Sequence, residues 1–169
     1  MAYFPFFIDI ENANGLIIGG GHQALKKIEK LLPYGVRLHV ISPCVIDDIR
    51  AYEEKGVKIS VRHFEPEDIH EGLKFVIIAI DENIDIQSSD SCDLKTDISS
   101  PYEENNMRKY IAKLCKEKRI LVNSVDDIEN CEFIFPALVK EGDISIGIST
   151  SGTNPKLAVR LKEKIRKYI

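Results

Sequence analysis

Three consecutive glycines, Gly19-Gly20-Gly21, follow the apolar run Leu16-Ile17-Ile18 and lead into His22-Gln23-Ala24. The spacing fits G-x-G-x-x-G/A, placed between a strand and a helix as that motif requires. Its first glycine permits a tight turn, and its second lets main chain approach a pyrophosphate. The small third residue, here Ala24, lets helix and strand pack closely. A helix opening at His22 would turn its leading N–H groups and the positive end of its dipole toward the phosphates. The competing reading is a turn made bare for its own sake. The strand–turn–helix context favours a dinucleotide.

The ribose signal is absent. An acid about 20 residues on, after the second strand, would mark NAD, and an arginine would mark NADP. Here that strand ends in Ser42-Pro43-Cys44. Ser42, Pro43 and backbone groups are left to hold the ribose, and these residues alone do not choose between the two cofactors.

Other reactive side chains are dispersed. His22, His39, His63 and His70 show no ligand spacing, and Cys44, Cys92, Cys115 and Cys131 form no C-x-x-C pair. Neither a metal site nor a disulfide framework is expected, and reduced thiols fit a cytoplasmic protein. Lys and Arg number 23 against 27 Asp and Glu, a net charge of −4 with no basic block. That balance excludes general nucleic-acid binding. The opening MAYFPFFIDI is apolar but stops at Asp9, too short for a spanning helix. It reads as a segment laid onto the core, and no membrane partner is expected.

These residues need a scaffold. Leu16–Gly19 reads as a buried strand, followed by a helix with Ala24, Leu25, Ile28, Leu31 and Leu32 inward and stopped by Pro33 and Gly35. Further strands are expected at Arg37–Ser42, Val57–Phe64, Phe75–Ile80 and Ile120–Val125, with a polar helix through Asp47–Lys55. Glu82–Ser100 lacks periodicity and reads as an inserted loop beside the cleft. Ser100-Pro101-Tyr102-Glu103 then starts a helix. Alternation of strands and helices predicts an α/β fold: a Rossmann-like parallel sheet with helices on both faces. Phe133–Val139 and Ile144–Ser149 form a β-hairpin, and Asn154-Pro155 opens a last helix. The expected division is 1–125 for the nucleotide domain, with 82–100 inserted, and 126–169 for a dimerisation and substrate region.

Several stretches together resemble one family. FPFFIDI, GLIIGGGHQALKKIEKLL, VIIAIDE, ILVNSVDD, CEFIFPALV and ISIGISTSGTNPKLAVRLKEKI follow the order of precorrin-2 dehydrogenases, the N-terminal enzymes of siroheme synthases. FIFPA and ISTSGTNP are the most specific, since glycine turns are widespread. The resemblance implies NAD-dependent oxidation of precorrin-2 to sirohydrochlorin on a homodimer, and in some members iron insertion into the product. It implies a catalytic role for Asp126 in Asn123-Ser124-Val125-Asp126.

Asp126 follows the fifth strand, at the edge where open α/β sheets bind ligands. A carboxylate there could accept the proton released as hydride leaves, or orient the macrocycle; alternatively Asp126 or Asp127 only caps the turn. Relatives read A-A-T-D after the fourth strand, so Ala79 and Asp81 are expected near the cofactor, with Ile80 replacing the threonine. Ser151 and Asn154 also replace a more usual glycine and serine. Relatives continue into a helical region beyond the position of Ile169, which is expected to wall part of the tetrapyrrole site.

Precorrin-2 carries a rim of carboxylates, so an acidic protein must gather positive groups locally. Ser149, Thr150, Ser151, Gly152 and Asn154 end at a helix N-terminus, with Lys156 and Arg160 close by. Hydroxyls, N–H groups and two cations suit a carboxylate; an N-cap with a solvated basic face is the equal alternative. The hairpin could pair with its copy across a two-fold axis. A regulatory NAD-sensing module without catalysis is the competing function. It predicts an acid after the second strand and needs neither FIFPA nor ISTSGTNP.

Overall fold

The computed structural model describes residues 3–80, 101–125 and 127–168. It divides into two units, Ile10–Phe133 and a second made of Met1–Asp9 with Ile134–Ile169. The sequence drew its boundary at 125/126. Residues up to Phe133 stay with the first unit because the chain folds back on β5 (Leu121–Ser124). Glu132 N donates to Val122 O at 2.8 Å, and Asn123 Nδ2 donates to Phe133 O at 2.8 Å.

The first unit holds a parallel sheet of β1 (Asn14–Ile18), β2 (Arg37–Ser42), β3 (Lys58–Val61), β4 (Leu73–Ile78) and β5. Its strand order is β3-β2-β1-β4-β5. The order reverses between β1 and β4, which opens a crevice at their carboxyl ends. Between the strands run α1 (His22–Leu31), the short α2 (Asp47–Arg50) and α3 (Pro101–Glu117). Right-handed crossovers from β1 to β2 and from β4 to β5 run in opposite directions along the sheet. They therefore place α1 and α3 on opposite faces.

Side-chain alternation fills both faces. Ile111, Ala112 and Cys115 of α3 pack on Leu16, Ile18, Ile41, Val76, Ile78 and Val122. The opposite phase, Ile17, Val40 and Ile77, is fully buried too, as are Ala24 and Ile28 on α1. This is why FVIIAI reads as apolar throughout. Burying each large side chain contributes about 1.5–3 kcal/mol.

Element ends differ from expectation where side chains intervene. The third strand stops at Val61 because Arg62 turns to pair with Asp68. The helix expected through Asp47–Lys55 breaks into α2 and a 3₁₀ turn at Glu53–Lys55. The N-terminal segment does not lie on the core: Phe4, Phe6 and Phe7 are 76%, 77% and 81% exposed. Apolar composition alone does not define a docking surface. Cys115 and Cys131 are free thiols, but Cys44 is disulfide-bonded. Sequence spacing does not tell which cysteines folding brings together.

The second unit contains the antiparallel hairpin β6 (Ala137–Glu141) and β7 (Ile144–Ile148), followed by α4 (Pro155–Ile165).

Candidate active site

The glycine turn sits at the end of β1, on the crevice. Gly19 has φ +121°, and a Cβ there would lie 2.0 Å from the carbonyl oxygen of Ala79. A Cβ on Gly20 would lie 2.1 Å from the carbonyl oxygen of Cys44. The segments after β4 and β2 thus close onto the turn from two sides. Gly19 N donates to Ile41 O (2.9 Å), Ala79 N to Ile18 O (2.8 Å) and Ile46 N to Gly20 O (3.0 Å). The bareness serves the protein's own packing as well as a ligand.

Gly21 is the N-cap of α1, which has no side-chain cap and no acid in its first turn. The positive end of the helix therefore meets no anion from its own first turn. This arrangement fits the diphosphate of a nicotinamide dinucleotide. His22 is exposed at the first helical position, Gln23 is half-buried and Ala24 is wholly buried, as close helix–sheet contact requires.

At the end of β2, Ser42 is only 3% exposed. Its hydroxyl donates to Cys44 O at 2.6 Å and accepts from Cys44 N at 3.4 Å. The short side chain folds into its own turn. Its single proton is used there, which leaves the ribose to main-chain groups beside half-buried Pro43.

Across the crevice, Ala79 is buried against Gly19. Asp81, the 82–100 loop and Asp126 lie outside the described residues. Both neighbours of Asp126 are pinned. Val125 N donates to Ile78 O (2.9 Å), and Val125 O accepts from Arg108 Nη1 (2.9 Å). Asp127 O accepts from the Cys131 thiol (3.3 Å), and its carboxylate Oδ2 accepts from Asn130 Nδ2 (2.6 Å). Asp127 stands at the N-cap of the 3₁₀ turn at Ile128–Asn130, but its side chain makes no capping bond to that turn.

The Cys131 thiol also accepts from Ser124 N at 3.1 Å, and burial holds its pKa above the ordinary value. It is a structural hydrogen-bonding group rather than a thiolate. Among the described residues, three buried polar atoms lack partners: Arg108 Nε, Asn123 Oδ1 and Ser124 Oγ. Each such group costs about 1–3 kcal/mol. All three lie at the end of β5 or on the helix facing it. Sequence reasoning missed Arg108. The available signal was an arginine on the i, i+3, i+4, i+7 stripe with Ile111, Ala112 and Cys115.

In the second unit, Ser149 through Arg160 form one turn and helix start. Ser149 Oγ accepts from Ser151 N (3.1 Å), and Thr150 Oγ1 accepts from Asn154 N (3.2 Å). Asn154 Oδ1 accepts from Leu157 N (2.9 Å), capping α4 as expected. Ser151 and Gly152 both have positive φ, 51° and 81°. Lys156 and Arg160 are exposed one turn apart on α4. The N-cap reading is therefore realised, with two cations beside it.

Among the described residues, no group of three or more His, Cys, Asp and Glu is arranged to hold a metal ion. No helix among them is long and apolar enough to cross a membrane.

Comparison with known proteins agrees with this geometry. The chain is similar to siroheme synthases: 31% identical over 98% of its length to that of Buchnera aphidicola subsp. Acyrthosiphon pisum. It is 30% identical over its full length to that of Pseudoalteromonas atlantica. It spans 30% and 32% of the length of those two relatives. The solved structure of SirC, a precorrin-2 dehydrogenase, matches its fold with a TM-score of 0.66 at 22% identity, covering 99% of this chain and 71% of that one. Residues 6–95 and 100–137 match the family described as "Putative NAD(P)-binding". With the bare turn at the switch point of its sheet, the chain belongs to this NAD(P)-binding family.

Proposed function

We propose that this chain oxidises precorrin-2 to sirohydrochlorin with NAD, in the cytoplasm and as a homodimer. One observation carries the reading: an uncapped glycine turn at the switch point of a β3-β2-β1-β4-β5 sheet, in a chain similar to siroheme synthases. When bound, NAD supplies the two-electron acceptor. Gly19–Ala24 would hold its diphosphate, and main chain at Ser42-Pro43 with the segment from Ala79 to Asp81 would bind the remainder of the cofactor. Asp126 accepts the proton that leaves as hydride is transferred. The pinned residues on either side of it, Val125 and Asp127, support a positioned base. Lys156, Arg160 and the Ser149–Asn154 turn bind substrate carboxylates, the cations as point charges and the turn through hydroxyls and amides. The β6–β7 hairpin forms the two-fold interface.

The test is direct. Purified protein mixed with NAD and precorrin-2 yields NADH and sirohydrochlorin, each followed by its absorbance. Asp126→Ala lowers kcat by about 10²–10⁴-fold while NAD affinity holds. Absence of turnover with active substrate refutes the enzyme; an undiminished Asp126→Ala rate refutes only that residue's role. Adding ferrous iron to the product mixture reads out iron insertion separately.

A further inference from the structure

Arg108 stands out on α3. The helix's inward stripe is otherwise apolar, formed by Ile111, Ala112 and Cys115 packed on the sheet. Arg108 continues that stripe toward the helix N-terminus and is 9% exposed. An apolar side chain would fill the space without burying a charge. Nor is the arginine there for a carboxylate among the described residues, since both its hydrogen bonds go to carbonyls. Nη1 donates to Val125 O at 2.9 Å, and Nη2 donates to Ile80 O at 2.5 Å.

Those carbonyls share a placement. The β4–β5 ladder ends at the pair Ile78 and Ser124, with Val125 N to Ile78 O as the last backbone bond. Among the described residues, no strand pairing beyond that point holds the two segments at a set distance. The guanidinium bridges them there with two of its donors, a reach that suits its planar fork. The two bridged residues immediately precede Asp81 and Asp126 in the chain. Arg108 Nε and Ser124 Oγ are buried beside this bridge without partners. Polar capacity has been kept at this edge instead of being packed away.

We propose that Arg108 is a positioning residue, a clamp that fixes the spacing of the β4 and β5 ends and so sets where Asp126 is presented for proton removal. The catalytic part rests on the reading of Asp126 as the base; the clamp itself does not. Ammonium and thioether replacements separate the two. In the full chain, Arg108→Met lowers kcat for precorrin-2 by about 100-fold, the scale of a 1 Å misplacement, with smaller changes in KM and in NAD affinity. Arg108→Lys, which offers a point charge without the fork, recovers about tenfold of that loss. In the Arg108→Met, Asp126→Ala double variant, the loss is no greater than for Asp126→Ala alone.

Amide hydrogen exchange gives a readout independent of turnover. Arg108→Lys and Arg108→Met each accelerate exchange at Ala79–Ile80 and Val125–Asp127 at least tenfold, with β1 and β2 unchanged. Exchange that rises throughout α3 and the sheet, or not at all, overturns the clamp. Additive losses in the double variant, or an effect confined to KM, overturn its link to Asp126. If Asp126→Ala alone is fully active while the local exchange effect is present, the reading of Asp126 fails and the clamp stands.

Discussion

The two halves of the parallel sheet treat their polar groups differently. In the β1–β2–β3 half, polar side chains find partners within that half. Ser42 bonds within its own turn, and His39 Nε2 meets Ser60 Oγ at 2.8 Å. Arg62 forks onto Asp68 at 2.8 and 2.5 Å. In the β4–β5 half, Arg108, Asn123 and Ser124 each keep a buried atom without a partner among the described residues. Two arginines near strand ends make the contrast plain. Arg62 is half-exposed and neutralised by a carboxylate, whereas Arg108 is buried on carbonyls. The glycine-turn half pairs these side chains within itself and leaves the start of α1 uncapped, as suits a cradle for diphosphate. The other half holds polar capacity open, as suits chemistry on a substrate.

Breaking the glycine-turn half should produce the largest effect. Gly19→Ala puts a methyl 2.0 Å from Ala79 O at φ +121°, and Gly20→Ala puts one 2.1 Å from Cys44 O. Each should cost about 3 kcal/mol or more and abolish saturable NAD binding. Denaturant midpoints and NAD titration check this. A stable Gly19→Ala protein that binds NAD normally would mean that the closure of the Ala79 segment on this turn is loose.

A smaller effect comes from the outer edge of the same half. Burial alone would push the Asp68 carboxyl up, but the Arg62 fork, Glu65 N and the nearby positive charge hold it below its ordinary value of 3.8. A depressed folded-state pKa stabilises above the unfolded value and is lost as pH falls through the folded one. Asp68→Asn should therefore cost about 1–2 kcal/mol at neutral pH, and that cost should shrink as pH drops below the ordinary carboxylate range. Urea midpoints of both proteins across pH provide the measurement.

The smallest effect sharpens the comparison most. Ser42→Ala removes the hydroxyl's two bonds to Cys44, one of them long at 3.4 Å, for about 0.5–1 kcal/mol. If the hydroxyl serves only its turn, the NAD dissociation constant moves less than about twofold, the equivalent of under 0.5 kcal/mol. A tenfold weakening in isothermal titration would show that Ser42 leaves Cys44 to grip the ribose.

Much of this was legible because it is periodic or local. Leu16-Ile17-Ile18 and Phe75–Ile80 announce covered strands, and Asn154-Pro155 announces a helix start, since each signal lies within a few residues of its effect. The exposure of Phe4, Phe6 and Phe7 was not legible, because whether an apolar segment finds a surface depends on what occupies the rest of the molecule. Arg108 was readable as inward-facing but not as a clamp. Its partners Val125 and Ile80 lie 17 and 28 residues away along the chain.

The chain's order of residues by itself determined the alternation of strand and helix, the bare turn after the first strand and the capped last helix. These follow from backbone sterics, side-chain period and short-range hydrogen bonds. Tertiary structure alone decided that Gly19 and Gly20 yield to carbonyls from two distant loops, that Ser42 is used up in its turn, and that one arginine joins the ends of β4 and β5. Such contacts join segments far apart in sequence, and they exist only once the sheet's order has brought those segments to one edge.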